Sequence, residues 1–333
     1  MRLHNWSAPG LSRRSSLTIG LLGITWRPAT QILPVNKSGV RVARMIFAAA
    51  LAAGSPTVPG TRFTRVSEVT MGDLEVRGEW VHTVVTRRTD GAFLYIHGSG
   101  HIVCSSRTHR GITSHLSADT GLPVFSIDYR LAPTHTYPAA SDDVRAAWEW
   151  LLSEGFAADR IVIGGDSAGG HLAIALAHDL AAAGLALPAA IVAISPFLDL
   201  SLVEATVRDR IVRDPFAAAS VAKRALTHYA DEGAKTVAAR SFEFDTLSDF
   251  PPILIHAGSR EMLGADCTEL ARRIRAAGFD VEHRVWPGQM HAFQVLSAVF
   301  PEGKVARTEI AEFLDRQLPR TSAWRATKNL VHA

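Results

Sequence analysis

The sequence predicts an α/β fold in which a mostly parallel, doubly wound sheet of about eight strands is covered by helices. Two observations lead to this prediction. From residue 92 onward, short apolar runs alternate with longer amphipathic segments, which is typical of strands and helices that follow one another in a parallel sheet. One apolar run also passes through a glycine-rich turn directly into an alanine-rich segment, as expected where a buried strand meets a helix.

The composition is that of a globular protein with a large core. The chain has 333 residues, of which 47% are hydrophobic, and could form two small domains or one large α/β domain. Its only cysteines are Cys104 and Cys267, so neither a disulfide framework nor a zinc site built on paired cysteines is indicated. No metal or organic cofactor is implied, and we expect no transmembrane helix.

Basic charge is concentrated at the N-terminus. Residues 1–67 contain nine Lys or Arg and no Asp or Glu, although the whole chain has a net charge of only +3. Three interpretations stay open: a targeting segment, a basic helix lying on an anionic membrane surface, and helices that cover the mouth of a site, with a frayed tail. The apolar run at residues 17–26 is short for a signal peptide, and no clear cleavage site follows it. We expect a cytoplasmic protein, with membrane association left open.

The first elements set the domain boundaries. Apolar residues at helical spacing predict a helix over residues 37–53, and the proline-rich stretch at residues 55–60 ends it. We therefore expect a tail and cap helices over residues 1–60, a catalytic domain over residues 61–320, and a C-terminal tail over residues 321–333.

Strands and helices then alternate. Two antiparallel strands are expected between residues 63 and 86, with a turn at residues 71–73. The later strands share continuous apolar or β-branched runs and are predicted at residues 92–96, 123–128, 160–164, 190–194, 252–256 and 280–286. The helices between and after them are predicted at residues 106–120, 139–154, 168–183, 267–277 and 301–318.

Residues 201–250 interrupt this alternation with a helical segment in which no strand is expected. An insertion at this point would lie above the carboxyl ends of the strands, where ligands bind in open α/β sheets. We therefore predict that this insert forms a cap together with the N-terminal helices.

The motif G-x-S-x-G at residues 165–169 lies where the strand at 160–164 meets its helix. Small residues on both sides allow the sharp strand-to-helix turn that exposes a serine hydroxyl, and a helix N-terminus favours negative charge nearby. The motif alone is a weak signal, because a glycine-rich turn without chemistry has the same pattern. Ser167 is a candidate nucleophile provided that a base, an acid and an oxyanion hole accompany it.

The acid and the base should follow Ser167 in that order, each on a loop after a strand. His291 comes directly after the last predicted strand and is the candidate base. Glu261 and Asp266 both follow the preceding strand and compete for the acid. Glu261 is favoured because it lies at the strand-to-helix turn, whereas Asp266 is also explained as a helix N-cap.

The oxyanion hole requires backbone N–H groups from two places. One is the residue after the nucleophile, Ala168. The other is the loop that follows the strand at residues 92–96, where Gly98, Ser99 and Gly100 are small enough for the backbone to approach a substrate oxygen.

Five stretches, in order along the chain, resemble motifs of the hormone-sensitive-lipase-like α/β-hydrolases, a family that includes many bacterial carboxylesterases. They are H-G-S-G at 97–100, D-Y-R-L-A-P at 128–133 with Y-P-A-A at 137–140, G-D-S-A-G-G at 165–170, S-P-F-L-D-L at 195–200, and W-P-G-Q-M-H-A-F at 286–293. Glu261 falls where the family often has the Asp of Asp-Pro-Leu, which supports it over Asp266. Two departures are Ser99, which replaces the middle glycine of the family's H-G-G-G motif, and His101, where Tyr or Trp is common.

The resemblance implies an α/β-hydrolase fold with a helical cap, and a serine carboxylic-ester hydrolase that forms an acyl-enzyme on Ser167. Short- to medium-chain acyl esters are the expected substrates, with lactones, acetylated metabolites and lipids at a membrane surface left open. A non-catalytic ligand receptor on the same fold is disfavoured because His291 is present. We expect a small-molecule ester as the partner and no nucleic acid, and a homodimer stays open.

Overall fold

The computed structural model describes residues 9–32, 37–197, 200–231 and 242–318, and eight strands within these residues form one sheet. The spatial order is β1-β2-β4-β3-β5-β6-β7-β8, with β2 antiparallel to both of its neighbours and every other pair parallel. The predicted fold class is therefore confirmed. The strands are β1 Arg62–Met71, β2 Leu74–His82, β3 Ala92–Ile96, β4 Val124–Ile127, β5 Ile161–Asp166, β6 Ala190–Ile194, β7 Ile253–Gly258 and β8 Val281–Trp286.

The helices lie around this sheet. In chain order they are α1 Arg13–Ile24, α2 Trp26–Ile32, α3 Lys37–Gly54, α4 Arg110–Thr120, α5 Ala139–Ser153, α6 Ala168–Ala182, α7 Val203–Val212, α8 Ala219–Tyr229, α9 Gly264–Ala276 and α10 Glu302–Gln317. Helices α5 and α6 pack on each other; α5 also packs on β2, and α6 packs on β5 and β6, while α4 packs on α10. All residues of β3, β5, β6 and β7 are buried, which explains why those strands read as continuous apolar runs rather than alternating ones.

Two segments outside the sheet pack on each other: the N-terminal helices α1–α3 and the insert that carries α7 and α8. Their contact contains three aromatic rings. Trp26 stacks on Phe216 at a centroid distance of 5.6 Å, and the edge of Phe47 meets Trp26 at 5.1 Å. The described residues between 200 and 250 contain helices and no strand, as the sequence predicts. The predicted C-terminal tail at 321–333 lies outside the described residues.

A buried ion pair joins the same two segments. Arg27 of α2 donates two parallel hydrogen bonds to the carboxylate of Asp209 in α7, at 2.9 and 2.8 Å, and a third to the carbonyl oxygen of Asp214. Asp209 also accepts the backbone N–H of Ala219, at the start of α8. Bidentate geometry and complete hydrogen bonding are what allow two charges to be buried together.

Asp209→Ala should destabilise the fold strongly, because it leaves the buried guanidinium of Arg27 without its counter-charge. We expect the free energy of unfolding in urea to fall by about 3–5 kcal/mol. The control is Glu149→Ala, which removes an exposed partner of Arg145 on α5 and should cost about 0.5 kcal/mol or less. Equal losses in the two variants would contradict the assigned role of the Arg27–Asp209 pair.

Candidate active site

Ser167 occupies a strained turn between β5 and α6. Its φ of 53° and ψ of −119° are rare for a residue with a side chain. Two backbone hydrogen bonds hold this conformation: the Ser167 N–H donates to the carbonyl of Ile194 at 2.8 Å, and its carbonyl accepts the N–H of Phe197 at 3.2 Å. The serine is half-buried and lies on the wall of a cavity, as the G-x-S-x-G motif predicts.

The two glycines of the motif are required by the closeness of the neighbouring strand. A β-carbon on Gly165 would lie 2.0 Å from the carbonyl oxygen of Ile96, and one on Gly169 would lie 1.9 Å from the same atom. No side chain can be accommodated at such distances. The last residue of β3 therefore packs directly under the turn, and the loop that follows β3 begins beside Ser167.

That loop supplies backbone N–H groups, but Gly98 has a different role from the one expected. Its N–H donates to the carboxylate of Asp166 at 3.1 Å, and a β-carbon there would lie 2.2 Å from the same carboxylate. The Gly98 N–H is therefore not free to bind an oxyanion. The N–H groups of Ser99, Gly100 and Ala168 have no acceptor among the described residues, so they are the available donors.

Asp166 is a buried carboxylate under this loop, a role that the sequence analysis missed. It accepts the hydroxyl of Tyr95 at 2.7 Å, and Nε2 of His109 lies 3.4 Å away. Burial alone would raise the pKa of Asp166, but the charge and hydrogen bond of His109, the hydrogen bond of Tyr95 and the charge of His97 hold that pKa below its ordinary value. The available signal was its place in the motif, directly before Ser167.

The structure brings the predicted acid and base together. Glu261 follows β7 and is fully buried, and His291 follows β8. Nδ1 of His291 lies 3.8 Å from Oε2 of Glu261, which is longer than a hydrogen bond. Catalytic hydrogen bonds are often long in proteins without substrate and shorten in the reacting complex.

Asp266 lies elsewhere on the same segment. The N-cap of α9 is Leu263, and Asp266 is the third residue of the helix, so the explanation of Asp266 as an N-cap is wrong. A carboxylate in the first turn is still favoured by the helix dipole. Among the described residues, the carboxyl group that forms an ion-pair contact with His291 within 4 Å is that of Glu261.

Burial moves the pKa values of the acid and the base in opposite directions. It raises the pKa of Glu261 to about 8, and the nearby carboxyl of Asp214 adds to this increase. It lowers the pKa of His291 to about 4. His291 is therefore neutral at pH 7 and able to accept a proton, whereas ionisation of Glu261 depends on the hydrogen bonds that it receives.

Ser195 provides one of those hydrogen bonds and was not among the predicted site residues. Its hydroxyl donates to Oε2 of Glu261 at 2.5 Å and accepts the N–H of Ala292, the residue after His291, at 3.0 Å. One side chain therefore links the acid loop to the base loop. Ser195 directly follows β6 with a φ of 48°, and the signal for it was the S-P-F stretch at 195–197.

Ser167, His291, Ser99 and Gly100 lie on the wall of one cavity of about 190 Å³. Apolar cavities of roughly 150 Å³ hold a benzene ring, so this space admits a small acyl group. The apolar wall is formed mainly by α3 and the insert: Val40, Ala43, Phe47, Leu51, Phe216, Ala217, Ala218, Val221, Ala222 and Ala225. Among the described residues, no cluster of His, Cys, Asp and Glu is arranged to hold a metal ion.

The two departures from the family pattern have local explanations. The Ser99 hydroxyl lies 3.0 Å from Sγ of Cys104, so the extra side chain is held by the loop itself. His101 is buried and stacks on Tyr229 of α8, with ring centroids 3.9 Å apart. It takes the place of an aromatic ring, and burial lowers its pKa, which favours a neutral imidazole.

Comparisons with known proteins show the family to which the chain belongs. A family model described as alpha/beta hydrolase fold matches residues 93–295. Carboxylesterase/phospholipase LipF of Mycobacterium tuberculosis is 37% identical over 68% of this chain, which spans 63% of LipF. Esterase LipU of the same organism is 37% identical over 69% of this chain and 78% of its own length. The crystal structure of an esterase from the bacterial hormone-sensitive lipase family superimposes with a TM-score of 0.81, at 31% identity, over 93% of this chain and 100% of that one.

Ser195→Ala should move the pH dependence of the site. The Ser195 hydrogen bond lowers the pKa of Glu261, so its loss raises that pKa further, and the carboxylate that stabilises an imidazolium forms only at higher pH. We expect the increase of kcat/KM with pH to occur at higher pH in the variant than in wild type. If the pH profile is displaced by about one pH unit, kcat/KM at pH 7 falls roughly tenfold. The pH profile of p-nitrophenyl acetate hydrolysis measures this.

The control is Ser153→Ala, on α5, whose hydroxyl donates to the carbonyl oxygen of Trp150 in its own helix and to no other group among the described residues. It should keep the wild-type profile. If Ser195→Ala also keeps that profile, the contact with Glu261 does not control the ionisation of the site.

Proposed function

The chain belongs to the α/β-hydrolase family, with relatives among the esterases of the hormone-sensitive-lipase group, and we propose that it is a serine carboxylic-ester hydrolase. The observation that carries this proposal is that Ser167 and His291, from the loops after β5 and β8, line one cavity, with Glu261 from the loop after β7 beside His291. The N–H groups of Ser99, Gly100 and Ala168, next to this site, have no acceptor among the described residues. A nucleophile, a base with its orienting acid, and an oxyanion hole are what acyl transfer requires.

In the proposed reaction, His291 removes the proton of the Ser167 hydroxyl, and Oγ attacks the ester carbonyl carbon. The resulting oxyanion is bound by the N–H groups of Ala168 and the Ser99–Gly100 backbone. Glu261 stabilises the imidazolium, which then protonates the departing alcohol. Water activated by His291 attacks the acyl-enzyme, and the carboxylic acid leaves with Ser167 restored.

The substrate class that we propose is short- to medium-chain acyl esters. The lining of the cavity is mostly apolar apart from the reacting groups and the buried Thr30, His109 and Asp166, so an acyl chain gains by leaving water. Lactones and acetylated metabolites present the same carbonyl chemistry and are the alternative substrates.

Ser167→Ala should abolish hydrolysis of p-nitrophenyl esters from acetate to palmitate, with a fall in kcat of about 10⁶-fold. Glu261→Gln should lower kcat by about 10⁴-fold, because the amide cannot stabilise the imidazolium. Asp266→Asn is the matched control and should change kcat little. A wild-type chain that hydrolyses none of these esters, or an active Ser167→Ala variant, would refute the mechanism, and a large loss in Asp266→Asn alone would transfer the acid role to that residue.

We also propose that the protein is cytoplasmic and attaches peripherally to anionic membranes through the cap, meaning α1–α3 and the insert with α7 and α8. Within the described residues no helix is long and apolar enough to cross a bilayer. The support comes from exposed apolar stripes. Leu17, Leu21 and Ile24 on α1 are 76%, 58% and 75% exposed, at the spacing of one helix face. Helices α3 and α7 carry similar stripes, at Val42, Met45 and Ile46 and at Val203, Val207 and Ile211.

Exposed arginines lie on the same three helices as the apolar stripes, α1, α3 and α7, where they can contact anionic lipid headgroups. In α1–α3 and residues 200–231, seven described Lys and Arg residues are exposed, against two exposed acidic residues, Glu204 and Asp231; the end of the insert, residues 242–250, adds three exposed acidic residues and no Lys or Arg. Exposed apolar stripes accompanied by basic residues are the features with which amphipathic helices bind anionic lipid surfaces.

Flotation with phosphatidylglycerol vesicles tests this attachment. Wild-type protein should float, less so in high salt and less so with phosphatidylcholine alone, because anionic headgroups attract the cap. The combined Leu17→Ser, Leu21→Ser and Ile24→Ser variant should lose most of the binding. The matched control replaces three apolar residues that are exposed elsewhere, Leu185, Val285 and Val305, with serine and should float like wild type.

Equal flotation of the two triple variants, or none by wild type, would contradict the proposal. If wild type sediments as a homodimer and the α1 variant sediments as a monomer, the stripes bind a second copy of this chain instead.

A further inference from the structure

The insert also contacts the loop that carries Glu261. Arg208 of α7 donates from Nε to the carbonyl oxygen of Glu261 and from Nη2 to that of Ser259, both at 2.9 Å. Asp214, two residues beyond α7, accepts the N–H of Met262 at 3.3 Å. Three successive points of one short loop are therefore held by two side chains of the cap.

The loop is shaped to receive the guanidinium of Arg208. A β-carbon on Gly264 would lie 3.0 Å from Nη2 and 3.1 Å from Nε of that group. The planar guanidinium therefore packs against the backbone where the acid loop enters α9. A forked donor can bind two carbonyl oxygens at once, which the single ammonium of a lysine cannot do in the same geometry.

Asp214 is itself fixed from the other side. Its carboxylate accepts the N–H groups of Phe216 at 2.9 Å and Ala217 at 3.3 Å, and its carbonyl oxygen accepts Arg27 of α2. Phe216 and Ala217 line the cavity. A continuous set of contacts thus runs from the N-terminal helices, through the insert, to the residue after Glu261.

We infer that the cap positions the triad acid, because Arg208 and Asp214 hold the backbone of Glu261 in place relative to His291. The rate of the chemical step therefore depends on these contacts between the cap and the acid loop. This rests on the proposed function. Glu261 lies 3.8 Å from His291, so a small movement of its backbone decides whether the hydrogen bond forms. A misplacement of about 1 Å costs up to roughly 100-fold in rate.

Arg208 and Asp214 are positioning residues and do not touch the reacting atoms. Arg208 is not among the residues that line the cavity, so its loss should affect kcat and leave KM for a small ester unchanged. A residue that merely shaped the substrate site would raise KM.

The test compares Arg208→Ala with Arg210→Ala, using p-nitrophenyl acetate and the full chain. Arg210 is exposed on the same helix and controls for loss of a helix arginine. We expect kcat of Arg208→Ala to fall roughly 10- to 100-fold with KM within about twofold of wild type. Added guanidinium ion should restore part of kcat in Arg208→Ala and leave Arg210→Ala unaffected, and Arg208→Lys should recover less than guanidinium does.

Gly264→Ala provides a second perturbation, because it keeps Arg208 but pushes the guanidinium away from the loop. Gly264→Ala should also lower kcat. The thermal unfolding midpoint of each variant is measured as well, so that a loss of kcat is not confused with unfolding. If Arg208→Ala and Gly264→Ala both keep the kcat of Arg210→Ala, or if KM alone rises, the inference is overturned while the ester hydrolase stands. A wild-type chain without esterase activity overturns both.

Discussion

The site depends on one close contact, that of the Ile96 carbonyl at the end of β3 with the turn at Ser167. Because Gly165 and Gly169 have no side chains, β3 can lie directly under the turn, and the backbone hydrogen bonds from Ser167 to Ile194 and from Phe197 hold its positive φ. Because of this contact, the hydroxyl of Ser167 is exposed and the oxyanion loop, which follows Ile96, begins next to it. The strain of one residue is offset by the packing of three strands.

Buried polar groups then set the chemistry. Asp166, whose pKa is held below its ordinary value chiefly by His109, accepts the N–H of Gly98 at the start of the oxyanion loop. Ser195 joins the acid and base loops through a single hydroxyl. Removing water from these groups strengthens their mutual interactions, and it also makes each of them costly to leave without a partner.

The inner and outer sides of the cap differ in their contacts and in their composition. Its inner side provides the apolar wall of the cavity and, through Arg208 and Asp214, holds the loop of Glu261. Its outer side carries exposed apolar stripes and exposed arginines on α1, α3 and α7. The ion pair of Arg27 and Asp209 links the N-terminal helices to the insert, the segment whose Arg208 and Asp214 contact the acid loop.

The sequence by itself determined the strand order along the chain, the mostly parallel sheet, and the presence of Ser167, Glu261 and His291 on loops after β5, β7 and β8, because hydrophobic periodicity and turn chemistry are local. It also favoured Glu261 over Asp266. Only the tertiary structure decided that the N–H of Gly98 is taken by Asp166, that Ser195 bonds to Glu261, and that Arg208 reaches the acid loop. Those contacts join residues 50 or more positions apart, and no local pattern specifies which distant partners a folded chain will bring within hydrogen-bonding distance.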